Sequence, residues 1–341
     1  MPDGSSELRE VRVQAQRLAD AGAWTDAGAL LLAHRDGVRA YPDTAALLAE
    51  SLVRTGRARE AREWLALVLP SIEVSDDRAS LRRATVLNGA AHFVLGELDV
   101  ARAGFNDAME LARVDGDDAL VARAMNNLGA IANIEGDRTG ALALYNLAIS
   151  AHQRTGNTRG LAECFHNMAI TYRDLGRLRE ADELELRSIE FGRDAGQPLI
   201  VSIARLGRAE LALRRGDPTF AEATARHAAV AFAAAGDVVR EAEAHRLAGL
   251  ACTMSGNFAE ARTLLDFAVE RSQLHGAVLH QAESLRARAE LAAAAGDTSA
   301  ALTDARRALV LFDQLRAADE CEALRRWIAA TDAAAPPPAS P

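Results

Sequence analysis

The 341-residue chain contains no lysine: all 39 of its basic residues are arginine. That absence excludes several chemistries at once. A P-loop needs Lys on the phosphates, a protein kinase needs its strand Lys, and a Schiff-base enzyme needs an amine. GC-rich codon bias towards Arg and Ala is the plain explanation; escape from lysine-directed tagging or acylation is the functional one. Cysteine is scarce as well. Cys164, Cys252 and Cys321 stand far apart and match neither a disulfide framework nor a zinc spacing. Aromatic residues are 4% of the chain, and only Pro198 and Pro218 lie between residues 71 and 335. An excess of positive charge is missing too. The net charge of −9 argues against a general nucleic-acid binder, which needs a basic face. No apolar run reaches the 18 or more residues of a membrane span. Met1 to Glu10 lacks the basic-then-apolar form of a signal peptide, so the expected location is the cytoplasm, with reduced thiols.

What the chain has instead is alanine, 75 residues of it. Alanine is the best helix former and proline the worst, so this composition predicts helix almost throughout. Glycines stand at Gly22, Gly56, Gly96, Gly136, Gly176, Gly216, Gly256 and Gly296. After a first interval of 34, every interval is 40. Five residues beyond each is an alanine, from Ala27 and Ala61 through Ala141 to Ala301. A second series, Gly116, Gly156, Gly196, Gly236 and Gly276, sits twenty residues on. Each period reads as a helical hairpin. The first glycine turns the chain between helix A and helix B, and the second ends helix B. Asp or Asn after a glycine, as in Gly116-Asp117 and Gly236-Asp237, caps the next helix. Seven before the hinge glycine the residue is again small (Ala49, Gly89, Gly129, Ala169, Ala209, Gly249, Ala289), so both helices are slim where they cross. Leu65, Phe105, Tyr145 and Leu265, nine beyond the glycine, are expected to fill the space between neighbouring hairpins.

This pattern resembles the tetratricopeptide repeat. The match is close in Asn127-Leu128-Gly129 followed by Gly136, with Ala141, Tyr145 and Ala148 downstream. The 40-residue form is similar to the repeats of polarity adaptors and bacterial signalling regulators. The resemblance implies an all-α, right-handed α-solenoid of about eight hairpins over residues 7–316. Residues 1–6 are expected to be disordered, 317–331 to form a capping helix, and 332–341 to form a disordered Pro/Ala tail. Such an array is expected to be elastic, because each repeat contacts only its neighbours.

No catalytic constellation is present: GxSxG, HExxH, CxxC, GxGxxG and EF-hand loops are all missing. His275 and His280 are five apart, which places them on different faces of a helix. The expectation is a protein that is not an enzyme and carries no metal or cofactor. Binding residues are easier to name. The resemblance implies that A helices line a concave groove, with inward positions thirteen, ten, nine, six and three before each hinge glycine. In the middle repeats these positions are rich in amide and guanidinium groups. The candidate partner-binding residues are Arg83, Arg123, Asn126, Asn127, Asn133, His166, Asn167 and Arg173. Asn can donate to and accept from a peptide backbone, and Arg can grip a carboxylate bidentately. Ala90 and Ala130 leave room beside them. The competing reading has the asparagines tying adjacent A helices together and the arginines solvated. Glu243 with Arg246, and Glu283 with Arg286, are spaced for intrahelical ion pairs.

The functional expectation is an interaction scaffold or adaptor that holds a protein or peptide in an open groove. The alternative is a ligand- or peptide-sensing module of a bacterial signalling pathway.

Overall fold

Helix ends in this chain are marked by backbone geometry that glycine alone adopts without strain. All thirteen glycines of the two series have positive φ, as at Gly96 (72°) and Gly276 (67°). The computed structural model describes residues 4–333 of the chain. They form 18 helices and no strand. The hairpins are α1 (Gly4–Asp20) with α2 (Trp24–Ala33) and a one-turn α3 (Arg35–Val38), then α4 (Pro42–Arg54) with α5 (Ala58–Glu73). Next come α6 (Arg78–Val94) with α7 (Leu98–Val114), α8 (Asp118–Ile134) with α9 (Arg138–Thr155), and α10 (Thr158–Asp174) with α11 (Leu178–Asp194). The last are α12 (Pro198–Arg214) with α13 (Pro218–Ala235), α14 (Val238–Met254) with α15 (Phe258–His275), α16 (Val278–Ala294) with α17 (Thr298–Gln314), and the single α18 (Ala318–Ala333). None is long and apolar enough to cross a membrane.

Helix starts carry the caps their sequence calls for. The side chain of Asp117 accepts from the Leu120 backbone N–H at 3.0 Å, and Asp237 and Asp297 do the same for Arg240 and Ala300. Two boundaries differ from expectation. The first helix begins at Gly4, inside the span expected to be disordered. The second helix of repeat one breaks at His34 (φ −118°), and Pro42 then starts α4 after the extended Tyr41. The final helix runs to Ala333, the last described residue, so the rest of the expected tail lies outside the described residues.

Packing within each hairpin follows from small side chains. The eight alanines five beyond the hinge glycines are all completely buried. The large residues at the ninth position pack against helix A of their own hairpin, and Tyr145 also reaches Thr171 of the next hairpin, in the direction expected. A Cβ added at Gly129 would lie 2.6 Å from the Tyr145 ring, at Gly89 2.8 Å from Phe105, and at Gly249 2.7 Å from Leu265. The missing side chain on helix A is the space that the ring or leucine on helix B fills. Between repeats, successive A helices touch one another along the array, whereas successive B helices do not pack together. The A layer therefore lies on the inside of the curvature.

The curvature closes on itself, and contacts are not confined to neighbouring repeats. The hinge of repeat n meets the B-to-A turn of repeat n+5. Thr25 Oγ1 donates to the Ala235 carbonyl at 3.2 Å. Arg59 Nη1 donates to the Leu274 carbonyl at 3.0 Å. Arg316 donates to both carboxylate oxygens of Asp99 at 2.8 and 2.6 Å. Thr25, Arg59 and Asp99 each stand three residues beyond their hinge glycine. Glycine permits the approach: a Cβ at Gly56 would lie 2.8 Å from Val239, and one at Gly276 2.9 Å from Leu95. Arg316 falls where the second glycine series would continue, and it alone among non-glycine residues described has positive φ, 53°. The groove expected to be open is thus the inner wall of a superhelix whose successive turns touch.

The tight crossing of the two helices has a measurable consequence. Ala141→Leu forces a branched side chain into a fully buried contact and costs about 1–3 kcal/mol. Ala143→Leu, on the exposed face of the same helix, changes stability by less than about 0.5 kcal/mol. Urea unfolding of the two variants checks the contrast.

Candidate partner-binding site

The inner wall divides into two halves of different character. In the first half, amides join A helices. Asn167 Nδ2 donates to Asn126 Oδ1 at 3.1 Å. Asn133 donates to Asp174 at 3.2 Å and accepts from the Thr171 hydroxyl at 2.7 Å. Three of the candidate asparagines thus hold α8 against α10. Arg83 grips Glu50 through Nε and Nη2 at 2.8 and 2.7 Å. Arg173 is held by Asp174 at 3.0 Å and by Glu210 at 2.6 Å. His166 Nδ1 lies 3.1 Å from each carboxylate oxygen of the buried Glu185 on α11. Of the eight candidates, Arg123 and Asn127 alone have no hydrogen bond or ion pair among the described residues. Ala90 and Ala130 lie partly open beside them.

In the second half the wall is a ladder of charges. Arg173 and Arg246 both face Glu210, at 2.6 and 3.8 Å, and Arg246 reaches Glu283 at 3.3 Å. This line crosses α10, α12, α14 and α16. Arg240 pairs with Glu243 at 2.9 Å, His280 lies 3.6 Å from the same carboxylate, and Arg286 pairs with Glu320. The expected pairs Glu243–Arg246 and Glu283–Arg286 do not form, because inward-facing arginines reach carboxylates on the next helix instead. Arg246 is 2% exposed, and its Nε has no partner among the described residues. Glu290 is open and has no ion pair among the described residues; surrounding protein pushes its carboxyl up against the pull of Arg286 and Arg246.

Charges also interact across the interior. Burial pushes the Glu50 carboxyl up, but Arg54, Arg83 and Arg123 outweigh it and hold it at about 2. Arg54 on α4 is pushed down by burial, and Arg159 on α10 and Arg123 on α8 repel it further. Glu163 on α10 helps to raise Arg240 on α14. Helices three repeats apart are therefore close enough to feel one another across the wall they enclose. Four guanidinium groups (Arg54, Arg83, Arg123, Arg159) gather here with two carboxylates, Glu50 and the Glu163 that pairs with Arg159.

Several of these residues are ones that sequence reasoning missed. Glu50 and Glu210 occupy the inward position six before the hinge glycine, and either is recognisable from that register. Glu185 stands nine beyond Gly176, where five other repeats carry Leu, Phe or Tyr and two carry Ala. A carboxylate at a core position signals a buried partner, which His166 supplies. One cluster has donor chemistry suited to a metal: Glu222, Cys252 and Glu260. Arg226 already lies among them, 2.9 Å from Glu222, paired with Glu260 and 3.9 Å from Cys252 Sγ. The protein's own guanidinium supplies the cation.

Residues 120–194, which span α8 to α11, match the model of the tetratricopeptide repeat family. That stretch carries tetratricopeptide repeats. No curated protein matches it by sequence. The fold is similar to that of a Rap protein solved in complex with competence and sporulation factor. That likeness covers 96% of this chain and 98% of the other, at 12% identity and a TM-score of 0.61. It is also similar to a chain of the APC/C hetero-tetramer Cut9–Hcn1, over 92% of this chain and 55% of that one, at 14% identity and a TM-score of 0.59. At these identities the likeness is one of fold alone.

Both halves of the wall can be probed by substitution. Arg246→Ala takes from Glu283 its ion-pair partner and leaves Glu210 to Arg173 alone, and costs about 1–3 kcal/mol in urea unfolding. Glu283→Gln added to it restores part of that loss. Glu50 has a folded value below its ordinary 4.5, so its stabilisation is complete above 4.5 and disappears as pH falls towards about 2. Glu50→Gln flattens this acid limb when melting temperature is followed against pH.

Proposed function

We propose that the protein is a non-enzymatic interaction scaffold whose superhelical interior holds a peptide segment or a partner helix. The observation that carries this reading is the state of the inner wall. Most of its polar groups are spent on one another, but Arg123 and Asn127 keep free donors and acceptors beside the small Ala90 and Ala130. A backbone amide pairs with Asn127, and a carboxylate of the partner pairs with Arg123. The likeness in fold to a Rap protein holding another factor supports the same reading. Arg83, Asn126, Asn133, His166, Asn167 and Arg173 then shape and stiffen the wall, and the free pair makes the contact.

A second reading, a sensing module, draws on the contact between turns. Those contacts join the edges of successive turns, with apolar side chains against glycine and a few hydrogen bonds, so a ligand that widens or narrows the interior also shifts the edges. That makes occupancy readable from outside.

The test is affinity capture from native lysate with mass spectrometry, comparing wild type with Arg123→Ala/Asn127→Ala. Both substitutions leave the ties between A helices intact, and circular dichroism reports that the variant is folded. The expected result is a protein retained by wild type and lost from the variant. A partner retained equally by both would move the site off the inner wall.

A further inference from the structure

The contact between turns covers only part of the array. Hinges of repeats one to three sit on the turns of repeats six to eight, and the hinge of repeat four sits on α18, through Arg138 and Asp319 at 3.2 Å. The hinges of repeats five to eight have nothing beneath them among the described residues. A Cβ placed on Gly176, Gly216, Gly256 or Gly296 would meet no atom within 4 Å, whereas Gly56 and Gly96 are crowded; Gly22 also meets none, its hinge being covered through Thr25. The opposite edge shows the same division: Gly236 and Gly276 are covered, whereas Gly116, Gly156 and Gly196 are bare.

The bare edges carry the residue types that the covered edges bury. Leu95, next to its hinge glycine, is 7% exposed under the following turn; Leu175, at the same place in repeat five, is 46% exposed. Met254 and Phe258 flank the bare hinge of repeat seven at 50% and 36%. On the other bare edge, Val74 and Val114 end the B helices of repeats two and three at 87% and 77%. Each bare edge also carries exposed charge of both signs, Arg179 and Asp217 along the hinges and Arg113 and Asp118 along the turns.

We propose that these two edges bind each other between two copies of this chain, head to tail. The occupant is argued from continuity. The covered edges already show how a hinge edge and a turn edge of this sequence fit, with apolar side chains against glycine and Arg against Asp. A second copy prolongs that contact by another turn. The surface used on one copy differs from that on the other, so the association is heterologous and open-ended. This inference is independent of what the interior holds.

Sedimentation velocity and light scattering over a concentration series test it, with two variants at exposed positions. Phe258→Glu spoils the hinge edge, and Val114→Arg spoils the turn edge. Wild type is expected to rise in mass with concentration. Each variant alone is expected to remain monomeric at its 36.3 kDa mass. Mixed in equal amounts, the two form a dimer, because each retains the edge the other lacks. Helical content by circular dichroism should match wild type in both. Wild type that stays monomeric throughout overturns the proposal. So does association that survives either substitution, or a mixture that yields no dimer.

Discussion

The close crossing of two helices governs everything else in this molecule. Alanine on helix B meets alanine or glycine on helix A, and the axes approach until a Tyr, Phe or Leu one turn further on closes the gap. Because that crossing recurs every 40 residues with nearly the same side chains, each hairpin is displaced from the last in nearly the same way. Constant displacement builds a helix of helices. Its fifth step brings the sixth repeat beneath the first, and bare glycine edges let the two turns touch.

How much of this was legible in the sequence differs by level. The hairpins were, because glycine at Gly136 and alanine at Ala141 report backbone and packing needs that no other residue meets. The caps at Asp117 and Asp237 were too, since a carboxylate after glycine has a local target. Return of the chain to itself was not. It depends on a small angle summed over five repeats, which no single residue encodes, although Arg316 in a glycine position was a sign. The inner wall was legible as a set of positions and not as a set of partners. Asn126 and Asn167 fall in the right register, but a sequence does not say whether two amides face a ligand or each other. Arg246 was read as paired within its helix because spacing along one helix is visible and distance to the next is not.

The two halves of the wall solve the same problem with different chemistry. Inward-facing polar groups must find partners where water is scarce. In repeats four and five, neutral amides join helices at low desolvation cost. In repeats six to eight, arginine and glutamate alternate, and Glu210, Arg246 and Glu283 join successive A helices. A shared charge constrains both partners in angle as well as distance, particularly when the cation is a planar guanidinium. On the proposed reading, the half built on amides, which holds Arg123 and Asn127, is where a visitor is received with least rearrangement.

The hydrogen bonds from Arg316 to Asp99 span 217 positions of sequence. A linear array frays from its ends, since losing the last repeat exposes only its neighbour. Here the loss of repeat eight also strips the cover from repeat three, near the opposite terminus. The two ends of the chain thereby become parts of one cooperative unit. Unfolding should proceed less like unwinding a thread than like opening a clasp, with the middle of the array the last to notice.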